Sequence, residues 1–297
     1  MAIRLGALAL AVVVVLGPLP QSGAQPLGFE LVAHQGGARA LETGVSTLEF
    51  DIGITLDREP LVWHDETMGP QKCADTAPAF PGDPRYPYAG KRVHELTLAE
   101  IRTLDCGRRI ATLPEIFALT DAYRADVRYD IETKVDAQDP GATAGPEEFV
   151  DVILAAVRSA GKADRVEIES FDWRTLTAVR AAEPSIPGVA LWNQTTWQPG
   201  SPWLAGINPA VVGDPLVGAL MVGASIVSPS YPLVDRALVD RAHALGLRVV
   251  PWTINDADVM RAQIAAGVDG IITDYPATLR AVMAQFDMPL PPAVHRQ

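Results

Sequence analysis

Short strand-like runs alternate with amphipathic, helix-like runs along this chain, and that alternation restricts its possible folds more than any other feature. The strand-like runs are residues 29–34, 47–54, 127–134, 166–171, 189–193, 224–228, 248–254 and 270–273. Between them lie stretches with apolar residues at three- and four-residue spacing, among them 146–160, 173–183, 234–245, 256–266 and 277–286, the period of a helix that buries one face. Asp172, Asp235 and Asn255 are placed to cap helix N-termini, and Gly161, Gly246 and Gly267 to end helices. Eight such repeats predict an α/β chain folded as a parallel (β/α)8 TIM barrel, with its active site at the C-terminal ends of the strands. An open doubly wound sheet is the alternative.

One link is short. Only about a dozen residues, mostly small or polar, separate the first strand from the second, so the first helix is read as missing or truncated. Its loss predicts exposed apolar surface on two barrel strands. The longest irregular stretch, at about residues 69–93, is rich in proline and glycine and reads as an insertion over the barrel mouth.

A net charge of −12 with no clustered basic run argues against a nucleic-acid partner. Arg4, an apolar run to Leu19 and then Ser22-Gly23-Ala24 form the three parts of a secretory signal peptide. Residues 1–24 are therefore read as a cleaved leader and 25–297 as one domain, secreted or periplasmic. In that setting Cys73 and Cys106 are an even pair compatible with a disulfide, two buried thiols being the alternative.

The chemistry concentrates at three strand ends. Glu49 and Asp51 lie two residues apart and share a strand face. Like charges on a buried face need something positive between them, and oxygen ligands suit a divalent cation. His64 ends the next apolar run, and His34 ends the first strand in AHQGG. Asp130, Glu132 and Lys134 fall at i, i+2 and i+4, sending two carboxylates and an ammonium to one face. Charge facing into a barrel is not solvated surface, so these groups form one joint signal.

With AHQGG at 33–37, LEFDIGIT at 48–55, WHD at 63–65, TLPEIFAL at 112–119, YDIETK at 129–134, SFD at 170–172, VVPWTIND at 249–256 and GVDGIITDYP at 267–276, the chain resembles the glycerophosphodiester phosphodiesterases from about Leu31 to Pro276. The resemblance implies the same barrel, one divalent cation on Glu49, Asp51 and Glu132, and an acid–base pair in His34 and His64. It also implies a phosphate-binding role for Lys134 and a pocket-lining role for Trp252. Gln35 stands where most relatives carry an arginine that grips phosphate. The implied activity is hydrolysis of glycerophosphodiesters such as glycerophosphocholine to sn-glycerol 3-phosphate and an alcohol. Ca²⁺ is favoured over Mg²⁺, because an exported protein meets abundant Ca²⁺. Two alternatives are an exported barrel that binds such diesters or lipid headgroups with little turnover, and a lysophospholipase D-like enzyme. Peripheral contact with membrane lipid would then use an aromatic rim of Phe80, Tyr86 and Tyr88, against which ordinary loop packing is the competing reading.

Overall fold

The computed structural model describes residues 28–296, so the leader read at residues 1–24 lies outside the described residues. In chain order the elements are β1 (Glu30–Ala33), α1 (Ala38–Thr43), β2 (Thr47–Ile54), β3 (Pro60–Val62), α2 (Leu98–Ile101), α3 (Leu113–Ala122), β4 (Arg128–Thr133), α4 (Pro146–Ala160), β5 (Val166–Ser170), α5 (Trp173–Ala182), β6 (Gly188–Trp192), α6 (Pro209–Val212), α7 (Pro215–Met221), β7 (Ile226–Pro229), α8 (Arg236–Ala244), β8 (Arg248–Val249), α9 (Ala257–Ala266), β9 (Gly270–Thr273) and α10 (Pro276–Gln285). Parallel pairing runs in the order β8-β7-β6-β5-β4-β2-β1-β9, and β3 adds to β2 as a short antiparallel spur.

The ring closes between the segment around β8 and β9. Asp269 N–H donates to the Val249 carbonyl at 2.8 Å, Ile272 N–H to Pro251 at 3.0 Å and Ile254 N–H to Ile272 at 2.9 Å. The run expected as a strand over 248–254 is regular only at Arg248–Val249, because Pro251 has no N–H to give to a ladder.

Strand parity divides the interior. On β2, β4 and β5 the odd-even alternation packs Leu48, Phe50, Ile52, Tyr129, Ile131, Val166 and Ile168 under the helices. The intervening Glu49, Asp51, Asp130, Glu132, Glu167 and Glu169 are therefore turned into the lumen, where all are buried. The opposite half of the lumen is filled by an apolar plug of Val32, Val189, Ile226, Val250 and Ile272.

The first helix is truncated, with α1 spanning six residues. The exposed apolar surface expected from that loss is not found: Leu41, Val45 and Leu48 are all buried. The chain covers them with its own C-terminal end. Val294 N–H donates to the Leu41 carbonyl at 3.0 Å, and Arg280 bridges the carbonyls of Gly44 (2.7 Å) and Pro291 (2.6 Å). Gly44 has φ +88°, and a Cβ there would lie 2.8 Å from the Pro291 oxygen, so this crossing requires glycine.

Asp172 and Asp235 cap α5 and α8 as expected. Asn255 does not cap α9. Its neighbour Asp256 accepts from the Asp258 and Val259 amides instead, which frees Asn255 for the mouth.

The insertion packs with its flanking segments into a second small core, in which Trp63, Met68, Cys73, Tyr88, Leu96 and Ile110 come together. Cys73 and Cys106 are joined by a disulfide. The aromatic rim does not form: Tyr88 is fully buried and donates to Asp83 at 2.7 Å, and Tyr86 packs edge-on against it at 5.3 Å. Phe80 alone of the three is exposed, at 50%. Ordinary loop packing is what the structure shows. No helix among the described residues is long and apolar enough to cross a membrane.

Candidate active site at the barrel mouth

Glu49 and Asp51 leave β2 on its lumen side, and Glu132 lies beside Asp51 in the β2–β4 register. One carboxylate oxygen from each falls within 4.8 Å of the others, although the three residues expose only 1, 3 and 9% of their surface. Glu49 Oε1 and Asp51 Oδ1 accept no hydrogen bond. Burial, then the charges of Asp51 and Glu132, push the Glu49 carboxyl far above its usual range. Burial also raises Glu132, with Lys134 pulling against it and Asp51 adding to it.

The Lys134 ammonium lies 2.7 Å from Glu132 Oε1 and 3.5 Å from Asp51 Oδ1. Burial opposes its charge, but Glu132 and Asp51 outweigh burial and hold it protonated. One ammonium cannot balance three carboxylates. The unpartnered, all-oxygen donor set fits one hard divalent cation held by Glu49, Asp51 and Glu132.

Each histidine is backed by a carboxylate. His34, just past β1, places Nδ1 2.6 Å from Asp274 Oδ1, and Asn255 Nδ2 donates to Asp274 Oδ2 at 2.6 Å. His34 Nε2 then lies 3.8 Å from Glu49 Oε2. His64 places Nδ1 2.9 Å from Asp65 Oδ1, and Lys72 Nζ lies 2.5 Å from Asp65 Oδ2. In both dyads Nδ1 is committed to a carboxylate, which leaves Nε2 of each ring outside that bond. Burial alone would raise Asp274 and Asp65. Hydrogen bonds from His34 and Asn255 in one case, and from Lys72 and His64 in the other, keep both below the usual carboxylate range.

Sequence reasoning found the histidines and missed Asp274, Asn255 and Lys72. The signal nearest to hand was Asp65 itself, adjacent to His64 in the WHD motif.

Gln35 occupies the left-handed region at φ +49° in the turn after β1. Its amide N–H donates to Glu49 Oε2 at 2.9 Å and its side chain to Asp51 Oδ2 at 3.2 Å. The residue expected to meet substrate thus holds two of the carboxylates in place. Trp252 sits over the apolar plug, with its indole N–H on the Ser228 carbonyl at 2.8 Å and its ring edge-on to Phe171 at 5.4 Å.

Two cavities meet at His64. One, of about 500 Å³, is lined by Gln35, Asp51 and Trp63, together with the cations Lys72, Arg108 and Arg109. The other, of about 430 Å³, is lined by Glu132, Lys134, Phe171 and Trp203.

The barrel thus brings two carboxylate-backed histidines together beside a buried carboxylate triad that could hold a metal ion. The chain belongs to the glycerophosphoryl diester phosphodiesterase family, whose model matches residues 37–278, and it is a phosphoric diester hydrolase. A glycerophosphodiester phosphodiesterase from Caldanaerobacter subterraneus subsp. tengcongensis is 28% identical over 250 residues, spanning 81% of this chain and 87% of that protein. A Silicibacter pomeroyi protein provisionally named a glycerophosphoryl diester phosphodiesterase superposes with a TM-score of 0.73 at 26% identity, covering 89% of this chain and 96% of its own. An Oleispira antarctica phosphodiesterase, solved in complex with the product sn-glycerol-3-phosphate, shares the fold with a TM-score of 0.66 at 17% identity, over 85% of this chain and 96% of its own.

Proposed function

We propose that the protein hydrolyses glycerophosphodiesters, glycerophosphocholine among them, to sn-glycerol 3-phosphate and an alcohol. In this reading Glu49, Asp51 and Glu132 hold one divalent cation, Ca²⁺ in preference to Mg²⁺. The observation that carries it is the pair of buried, unpartnered oxygens, Glu49 Oε1 and Asp51 Oδ1, beside Lys134 and the two histidines. The product bound to the Oleispira antarctica phosphodiesterase supports the choice of substrate class.

A cation at this site supplies Lewis-acid polarisation of a non-bridging phosphoryl oxygen. Lys134 faces the same phosphoryl charge with a fixed ammonium. One imidazole takes the proton of the attacking glycerol hydroxyl through Nε2 and the other returns a proton to the oxygen of the leaving alcohol; water then opens the cyclic phosphate to sn-glycerol 3-phosphate, with the two imidazoles exchanging roles. Asp274 and Asp65 keep each ring in the tautomer and orientation this requires, and they stabilise the imidazolium as it forms. The Ca²⁺ preference rests on export, which the leader read at residues 1–24 and the Cys73–Cys106 disulfide both support. We place the mature chain at residues 25–297, as a single domain outside the cytoplasm.

Turnover of glycerophosphocholine with Ca²⁺ or Mg²⁺, before and after chelation, tests this. The expected result is hydrolysis that stops on chelation and is lost in Glu49→Ala. Undiminished hydrolysis in the chelated protein, or in Glu49→Ala, would sink the cation assignment. Binding of the diester with no product in the unmutated protein would sink the activity.

A further inference from the structure

The short link between β1 and β2 leaves room on one side of the mouth. The cavity of about 500 Å³ opens there, walled by Gln35, Gly36 and Gly37 of that link and by Asp51 and His64 of the site. Another part of its wall is basic, with Lys72 from the insertion and Arg108 and Arg109 from the loop between α2 and α3.

These cations are held in place. Lys72 precedes Cys73 and Arg108 follows Cys106 by two residues, so the disulfide ties both to one point. The backbones of Ala74 and Asp105 also pair, at 2.8 and 2.9 Å. Nearby acids do not cancel the charge. Asp65 is shared between His64 and Lys72, and Glu115 Oε1 is shared between Arg102 at 2.9 Å and Arg109 at 2.6 Å. Asp105 accepts the Gly107 amide at 3.0 Å, in its own turn. Arg108 is exposed and has no ion-pair partner among the described residues. The cavity's aromatic wall is also unsuited to a quaternary ammonium, because Lys72 Nζ already lies 5.6 Å over the Trp63 ring.

We propose that this cavity receives the alcohol half of the diester and selects alcohols that carry an anion of their own, a carboxylate or a further phosphate. The inference rests on the phosphodiesterase reading above. A phosphoryl group at the triad and Lys134 puts its leaving oxygen beside His64, and His64 opens onto the basic cavity. The volume suits a headgroup of a few heavy atoms up to a second glycerophosphate. The Arg108 guanidinium is a planar fork that can meet either anion with two parallel hydrogen bonds. Glycerophosphocholine remains a substrate with a higher KM, since its cationic alcohol meets like charge.

The test compares four diesters on the Ca²⁺-loaded full chain: glycerophosphoserine for the carboxylate, bis(glycerophospho)glycerol for the phosphate, neutral glycerophosphoglycerol, and glycerophosphocholine. One or both anionic diesters should show the lowest KM, and the two arms tell which anion fits. Arg108→Glu should raise the KM of the preferred diester about tenfold, the worth of one charge-assisted hydrogen bond, and should lower that of glycerophosphocholine. Loss of structure would raise both together, so the opposite movement distinguishes selection from damage. Arg108→Lys should keep the order of preference, and high salt should compress it.

Equal KM values across the four, or a parallel change in Arg108→Glu, overturns the proposal. Calorimetric binding to His34→Ala reads the same preference without turnover. Anion-selective binding with no hydrolysis by the unmutated protein would leave the cavity assignment standing and defeat the phosphodiesterase reading. Binding with no order of preference would defeat the cavity assignment alone.

Discussion

The barrel lumen buries carboxylates at both ends and treats them differently. On the floor, Glu30 is bonded by Arg248, and Glu167 by Arg128 at 3.0 Å, so each acid has a guanidinium from the chain itself. At the mouth, Glu49, Asp51 and Glu132 have one lysine among them, and two of their oxygens have no hydrogen-bond donor. Between the two ends, Asp130 and Glu169 are pushed far up by burial and by their acidic neighbours. Where no ligand arrives, the chain neutralises its acids internally. Where the charge is left open, a cation from solution is expected, and the two ends therefore divide between stability and function.

Mutation should separate them. At the mouth, His34→Ala and His64→Ala should each lower kcat by about 10²–10⁴ with little change in melting temperature, as read by steady-state kinetics alongside thermal denaturation. A matching loss of stability would show that these rings are structural. On the floor, Arg128→Met takes away the donor to Glu167 and should cost about 1–3 kcal/mol in denaturant unfolding, with the KM of the surviving enzyme unchanged. A floor variant that keeps full stability would erase the contrast.

Much of this was legible in the sequence because it is local. Period-two parity alone turns Glu49 with Asp51, and Asp130 with Glu132, to one face, and the alternation of strand and helix gives the barrel. What was not legible is nonlocal or lacks periodicity. Asp274 reaches His34 across 240 residues, through the parallel pairing of β9 with β1. The covering of α1 depends on a proline-rich tail with no helical or strand period. Asn255 and Asp256 are both capable caps, and tertiary contact with Asp274 decided between them. A rim at Tyr86 and Tyr88 stood against ordinary loop packing, because composition does not reveal that these rings join a small core of their own.

Two smaller effects sharpen the contrast. A divalent cation at about one hundred times its Kd should stabilise the protein by about 2.7 kcal/mol, and Glu49→Gln should abolish that gain without affecting the floor. Thermal shift against cation concentration measures it. The floor, for its part, should show a pH slope. Burial, and then Glu30, lift Glu167 to about 8 from 4.5 even against Arg128. Between those values the native state holds a proton that the unfolded chain has lost, so stability is full below the lower value and declines as pH rises through the upper one. Glu167→Gln should flatten that decline in denaturant melts across the window. A slope of the same size in the variant would assign it to other groups.

Calorimetric titration of Ca²⁺ into chelator-stripped protein, with Glu49→Gln in parallel, bears most directly on the division between mouth and floor. The expected result is one saturable site in the unmutated protein and none in the variant. No binding by the unmutated protein, or undiminished binding by Glu49→Gln, would contradict the assignment of the open carboxylates at the mouth to a cation.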